Sequence, residues 1–154
     1  MFSSTTDGVA LARNARKELP GILTDTRQFN NVQIDRGRVT ATRPDGKQEV
    51  LVIGARRYSL DEELHSDMTH IAATRLTTAF EQTGISPGAV FLVLNASGTS
   101  LRITVLPKDV IDRMLAIGTV LTMNDTLLMR YPNGFEKIVK ENGGHVITFQ
   151  SSHA

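Results

Sequence analysis

The sequence predicts one α+β domain: a mainly antiparallel sheet of hairpins and meanders, with one long and two shorter helices packed on one face, in the order α-βββ-α-ββ-α-βββ. Three observations predict it. Apolar residues alternate with period two on either side of Asp-Gly and Asn-Gly turn signals, which is the pattern of strands joined in hairpins. A broad apolar stripe at helical spacing runs from about residue 59 to 83. A hairpin followed by a helix then recurs after Pro87-Gly88.

Taken in order, Thr5-Thr6-Asp7 offers N-caps for a first helix through about Glu18, with Leu11, Ala12, Ala15 and Leu19 on one side and Pro20-Gly21 as its end. From Asn31 the period changes to two. Val32 and Ile34, a turn at Asp35-Arg36-Gly37, then Val39 and Ala41 lead into Pro44-Asp45-Gly46-Lys47 and a third strand, a meander over 31–54. A two-residue Asp45-Gly46 loop sets Val39 opposite Val52 and Ala41 opposite Val50. A three-residue loop sets Ala41 against Glu49, so side-chain pairing favours the two-residue turn. Val50-Leu51-Val52-Ile53 is apolar on both sides, and so is the strand Ala89 to Leu94; each needs a cover on both faces.

Ser59 with Glu62 has capping-box spacing for a helix to Thr83, closed by Gly84, with Leu64, Met68, Ile71, Leu76 and Phe80 on its apolar side. The loop 95–100 turns the Ala89 strand into Leu101–Leu106. Pro107 fits the first position of a third helix that turns Val110, Ile111, Met114, Leu115 and Ile117 inward. Strands then follow at 126–131, 135–139 and 145–149, the first two paired through Tyr131 with Phe135, Arg130 with Glu136 and Leu128 with Ile138. The first few residues and 150–154 are expected to fray.

Composition bounds the function classes. The chain has 154 residues, 40% hydrophobic and 21% charged, which suits a globular domain with a core of its own. It has no cysteine, which excludes disulfides, thiolate metal sites and cysteine nucleophiles. No signal peptide begins it and no apolar run of membrane-spanning length occurs, so a soluble, cytoplasmic protein without membrane contact is expected. The net charge of +1 hides an asymmetry: residues 1–57 carry ten Lys/Arg against six Asp/Glu, whereas residues 58–154 carry seven against ten. Such a division suits a nucleic-acid face or complementary faces on copies of one chain.

No catalytic, metal or cofactor motif is complete. Glu62, His65, Asp67 and His70 look like the start of a metal site, but His65 and His70 point about 140° apart on a helix and cannot share one ion. No metal and no cofactor are therefore expected. His65 and Arg75 fall within the apolar stripe of the long helix, where a buried guanidinium needs a partner; they are candidates for a pocket or an interface. His65 and His145 are the catalytic candidates, together with Arg130 and Glu136 as an acid–base set of the kind small sheet-borne nucleases use. The loop 97–100 lacks the Gly-Lys-Ser/Thr of a phosphate loop. Arg36, Arg38, Arg43 and Lys47 on the meander, with Arg56 and Arg57 beyond it, are the candidates for binding an anion or nucleic acid. The meander carries no aromatic residue for base stacking, and the isoelectric point near 8.1 is modest for a nucleic-acid binder.

These features lead first to a non-enzymatic binding or accessory protein that works by protein contact and self-association as a homo-oligomer, because two strands need covering on both faces. A small nucleic-acid binder or ribonuclease-like enzyme using the 31–57 meander is the alternative. A small-ligand sequestering protein, with a pocket under the long helix lined by His65 or Arg75, is the second.

Overall fold

In the computed structural model the run Val50–Ile53 lies within the third strand of a six-stranded sheet, where a strand apolar on both sides is at home. The structure describes residues 17, 19–21, 23–24, 29–35, 37–57, 68–94, 100–123, 126–130 and 134–150. In chain order these form α1, whose described residues fall within 17–24, β1 (Asn30–Asp35), β2 (Arg38–Thr42), β3 (Gln48–Arg57), β4 (Met68–Ala72), α2 (Ala73–Thr83), β5 (Gly88–Leu94), β6 (Ser100–Leu106), α3 (Lys108–Ala116), β7 (Val120–Met123), β8 (Thr126–Arg130), α4 (Phe135–Glu141) and β9 (His145–Gln150). The fold is mixed α+β and mostly antiparallel, as the sequence predicts, but the element order differs.

The main sheet runs β1-β2-β3-β5-β6-β9, and β4-β8-β7 form a second, three-stranded sheet. Every neighbouring pair is antiparallel except β3 and β5, which run parallel from Leu51 opposite Gly88 to Arg57 opposite Leu94. A parallel pair needs a crossover rather than a turn, and the chain between β3 and β5 contains β4 and α2.

Alternate residues of β3 and β5 feed two separate cores. Leu51, Ile53, Val90 and Leu92 pack with Leu19 and Leu23 of α1 and with Phe29. Val50, Val52, Ala89, Phe91 and Val93 pack with Ala79 of α2, Val110 and Met114 of α3, Phe135 and Val139 of α4, and Ile71, Val120 and Leu127 of the small sheet. The two doubly apolar strands are thus covered on both sides by the chain itself. This corrects the expectation of one sheet with helices on one face.

Local expectations are also corrected. The helix expected over 59–83 begins only at Ala73; Met68–Ala72 is a strand, and 58–67, with Ser59, Glu62 and His65, lies outside the described residues. Ile71 sits opposite Leu127, both buried, so burial through a distant strand overrides local helical spacing. Pro20-Gly21 does not end α1: Lys17, Leu19, Pro20, Gly21, Leu23 and Thr24 are all helical. Leu19 and Leu23, four apart on one helical face, are fully buried, and that burial outweighs the hydrogen bond that proline cannot donate.

The segment 135–139 is helix rather than strand, so the expected strand pairings of Arg130 with Glu136 and Leu128 with Ile138 do not form, and that of Tyr131 with Phe135 falls on a residue outside those described; β8 pairs instead with β4 and β7. Phe135, Ile138 and Val139 stand at i, i+3 and i+4, the helical spacing, with Phe135 and Val139 buried and Glu136, Lys137, Lys140 and Glu141 exposed. Strand β7 escaped the sequence reading, and Ile117, expected inward, is 56% exposed just past the end of α3.

The β2–β3 turn departs from expectation as well. Ala41 lies opposite Glu49, the register of a three-residue loop over Pro44, Asp45 and Gly46. The Gly46 N–H donates to the Arg43 carbonyl (2.9 Å) and the Arg43 N–H to that of Lys47 (2.8 Å), with Gly46 at φ +87°. A two-residue turn of the favoured kind needs positive φ at both Asp45 and Gly46, and it would leave Pro44 in the ladder without an N–H to donate. Backbone chemistry therefore wins over side-chain matching, and a carboxylate is carried into a buried position.

Candidate functional site

The β1–β2 turn brings the strand edge against the start of α2. Gly37, at φ +78°, takes the left-handed conformation that a tight two-residue turn requires. Its carbonyl accepts the N–H of Ile53 (2.9 Å) and a longer bond from Arg75 Nη2 (3.4 Å). Arg38, the next residue, donates from Nη2 to Gln82 Oε1 on α2. Two arginines that are 37 positions apart in sequence thereby both reach the space between β2 and α2, Arg75 from the first turn of the helix and Arg38 toward Gln82 in its last turn.

Between them lies a cavity of about 240 Å³ lined by Gly37, Arg38, Val52, Thr74, Arg75 and Thr78. Helix α2 starts there with no capping side chain and no acidic residue in its first turn. The partial positive charge of the helix N-terminus adds to that of Arg75 in the first turn, Arg38 lines the cavity from β2, and no carboxylate stands among the described lining residues. Each guanidinium has five N–H donors, of which the bonds above occupy one. Arg75 is exposed rather than on a core-facing stripe, because the helix begins at Ala73 and its buried side centres on Ala79 and Leu76.

Arg43 has a different setting. Its Nη1 lies 3.0 Å from Oε1 of Glu49 and 3.5 Å from Oδ1 of Asp109, and Asp109 also meets Arg113 at 3.2 Å. Arg113 donates in addition to the Asn142 carbonyl (2.6 Å). Glu49 is 5% exposed. Burial raises its pKa above the ordinary 4.5, opposed by the adjacent Arg43 and reinforced by Asp109. This network ties the β2–β3 turn to α3 and leaves the Arg43 guanidinium committed to two carboxylates.

The remaining sequence candidates are scattered. Lys47 is exposed in the turn, and its N–H is held by Asp45 Oδ1 (3.0 Å). Arg56 and Arg57 end β3 opposite Val93 and Leu94; their side chains, and all of Arg36 and His65, lie outside what is described. His70 is a β4 residue opposite Leu128. His145 starts β9 opposite Val105, so it shares the α1-side face of the sheet, whereas Glu136 belongs to α4 on the other side, where it pairs with Arg102 (3.9 Å). The structure does not bring His145 and Glu136 together.

His145 Nε2 is buried with no hydrogen-bond partner among the described residues, and burial lowers its pKa from the ordinary 6.5. Between the lowered folded value and 6.5 the unfolded chain binds a proton that the folded chain does not, so stability is lost as pH falls through that window. His145→Gln is expected to lessen the loss between about pH 7.5 and 5.5. Thermal unfolding of both proteins at the two pH values checks it; parallel slopes would exclude the imidazole as the cause.

Among the described residues there is no cluster of three or more His, Cys, Asp and Glu placed to hold a metal ion, and no helix is long and apolar enough to cross a membrane. No protein-family model matches the sequence, and no curated protein is significantly similar to it.

Arg38 and Arg75 stand out in the sequence, but not their shared cavity, and Thr74, Thr78 and Gln82 do not stand out as site residues. The only local signal for these three was their place on the polar flank of α2, where Gln82 follows Thr78 by one turn.

Proposed function

We propose that this chain is a non-enzymatic binding protein that holds a small oxyanion-bearing ligand between β2 and the start of α2. The observation that carries this reading is the convergence of Arg38 and Arg75, with the hydroxyl residues Thr74 and Thr78, on one cavity whose described lining has no carboxylate. Guanidinium forks suit planar, multidentate recognition of phosphate and carboxylate oxygens. The reading based on self-association has less behind it, since both apolar faces of β3 and β5 are occupied by the chain's own helices and small sheet. The nucleic-acid reading loses Arg43, which is engaged with Glu49 and Asp109.

Isothermal titration with inorganic phosphate at low salt tests the proposal. The expected result is saturable binding that weakens by about tenfold in Arg75→Gln and in Arg38→Gln, each tenfold step corresponding to about 1.4 kcal/mol. Binding that is equal in all three proteins, or absent from the parent, would overturn it.

A further inference from the structure

We infer that the ligand is the monophosphate of a small polyhydroxylated compound, of the sugar-phosphate class, lying along β2 with its phosphate at Arg38 and Arg75. This inference rests on the anion-binding reading above and adds the identity of the ligand's body.

A second cavity, of about 490 Å³, continues along the same strand. Its described lining includes Thr40 and Thr42 of β2, Gln33 of β1, Gln48 of β3, and Thr83 and Ile85 at the end of α2. Arg38, Thr40 and Thr42 are alternate residues and so share one face of β2, spanning roughly 13 Å at strand spacing. Their partners on β3, in register, are Val52, Val50 and Gln48. Val52 lines the first cavity, whereas Val50 and Gln48 line the second. On the helix wall Thr74 and Thr78 belong to the first and Thr83 to the second; Gln82, which receives the Arg38 hydrogen bond, stands between Thr78 and Thr83. The two cavities follow one another along β2 and α2, with the Arg38–Gln82 bond between them.

The two cavities differ in chemistry. At the first, Arg38 and Arg75 in the lining, the latter in the first turn of α2, favour a compact negative charge. At the second, no Lys or Arg lines the wall among the described residues, and its one acid, Glu49, is turned into the ion pair with Arg43. Thr hydroxyls and Gln amides there both donate and accept hydrogen bonds, which matches alcohol groups that also do both. No aromatic ring stands in either described lining, so the flat stacking surface that a nucleobase takes is missing from it. A neutral, hydroxyl-rich body with one anionic end is the ligand that fits both cavities.

Titration with inorganic phosphate, glucose 6-phosphate, glucose and adenosine monophosphate tests this. Glucose 6-phosphate is expected to bind at least about tenfold more tightly than inorganic phosphate, and more tightly than the nucleotide, while glucose alone binds far more weakly. The Thr42→Val/Gln48→Leu variant should bind the ester no better than inorganic phosphate, with phosphate affinity unchanged. Gln33→Ala, at an exposed edge-strand position, should lower the ester's affinity in the same selective way and serves if the double variant folds poorly. If phosphate binds but the ester gains nothing, if the variants keep its advantage, or if the nucleotide binds best, the inference fails and the anion site stands. If neither phosphate nor ester binds, both fail.

Discussion

Gly88→Ala is expected to lower the unfolding free energy by about 3 kcal/mol, at the upper end of what overpacking a core does. Gly88 opens β5 opposite Leu51, at the start of the parallel pair in the middle of the main sheet. A Cβ there would fall inside the contact distance of the Leu106 carbonyl oxygen, 2.8 Å from Leu51 Cδ2 and 2.9 Å from the Lys108 nitrogen. Two of these three neighbours are backbone, at the junction where β6 passes through Pro107 into α3, so no side-chain rotation relieves the clash. The φ of Gly88 is not in the left-handed region, and the requirement is therefore one of space alone. Gly21→Ala is the matching control. Gly21 is helical, exposed and has nothing within 4 Å of an added Cβ, and alanine is better by up to about 1 kcal/mol in a helix interior. Urea unfolding of the two variants should move the midpoint in opposite directions. Equal shifts would mean that the close approach at Gly88 is not the reason for its glycine.

Arg43→Ala should destabilise the fold by about 3 kcal/mol near pH 8 and by clearly less near pH 5. Removing the guanidinium leaves the buried Glu49 carboxylate without the cation at 3.0 Å and facing the like charge of Asp109. The pKa of Glu49 is already raised in the folded protein, chiefly by burial. Between the unfolded value near 4.5 and the raised folded value the native chain binds the extra proton, so this group's contribution to stability declines as pH rises through that window. Loss of Arg43 raises the folded value further and extends the window upward. The gap between parent and variant should therefore widen from acid to alkaline pH in urea titrations, and Glu49→Gln added to Arg43→Ala should remove most of that widening. A gap of constant size would exclude the carboxylate as its source.

Both expectations depend on contacts that local sequence could not display. The meander at 31–54, the β5–β6 hairpin, α3 and β9 were legible because each carries its own period together with a turn or breaker at its ends. The β2–β3 loop was legible as a turn but not in its length, because cross-strand matching of Val39 with Val52 pointed one way and the backbone needs of Pro44 and Gly46 the other. Met68–Ala72 reads as the middle of a helix over 59–83 until Leu127 and Leu128, more than fifty residues on, supply a strand beside it. For the candidate site, Arg38 stands out in the sequence by its charge on the meander and Arg75 by its spacing within an apolar stripe. Their place in one cavity follows from the β1–β2 turn docking on α2, to which neither neighbourhood in sequence points.

The doubly apolar runs at Val50–Ile53 and Ala89–Leu94 were determined by sequence alone: apolar side chains on both sides of a strand must be buried on both sides, whatever covers them. What covers them was decided only by the tertiary structure. Leu19 and Leu23 of α1 close one face, and α2, α3, α4 and the small sheet close the other. The physical reason is that burial is non-directional. It fixes that apolar surface leaves water but does not choose the partner, and that choice rests on strand register, the parallel pairing of β3 with β5, and the backbone hydrogen bonds that hold them.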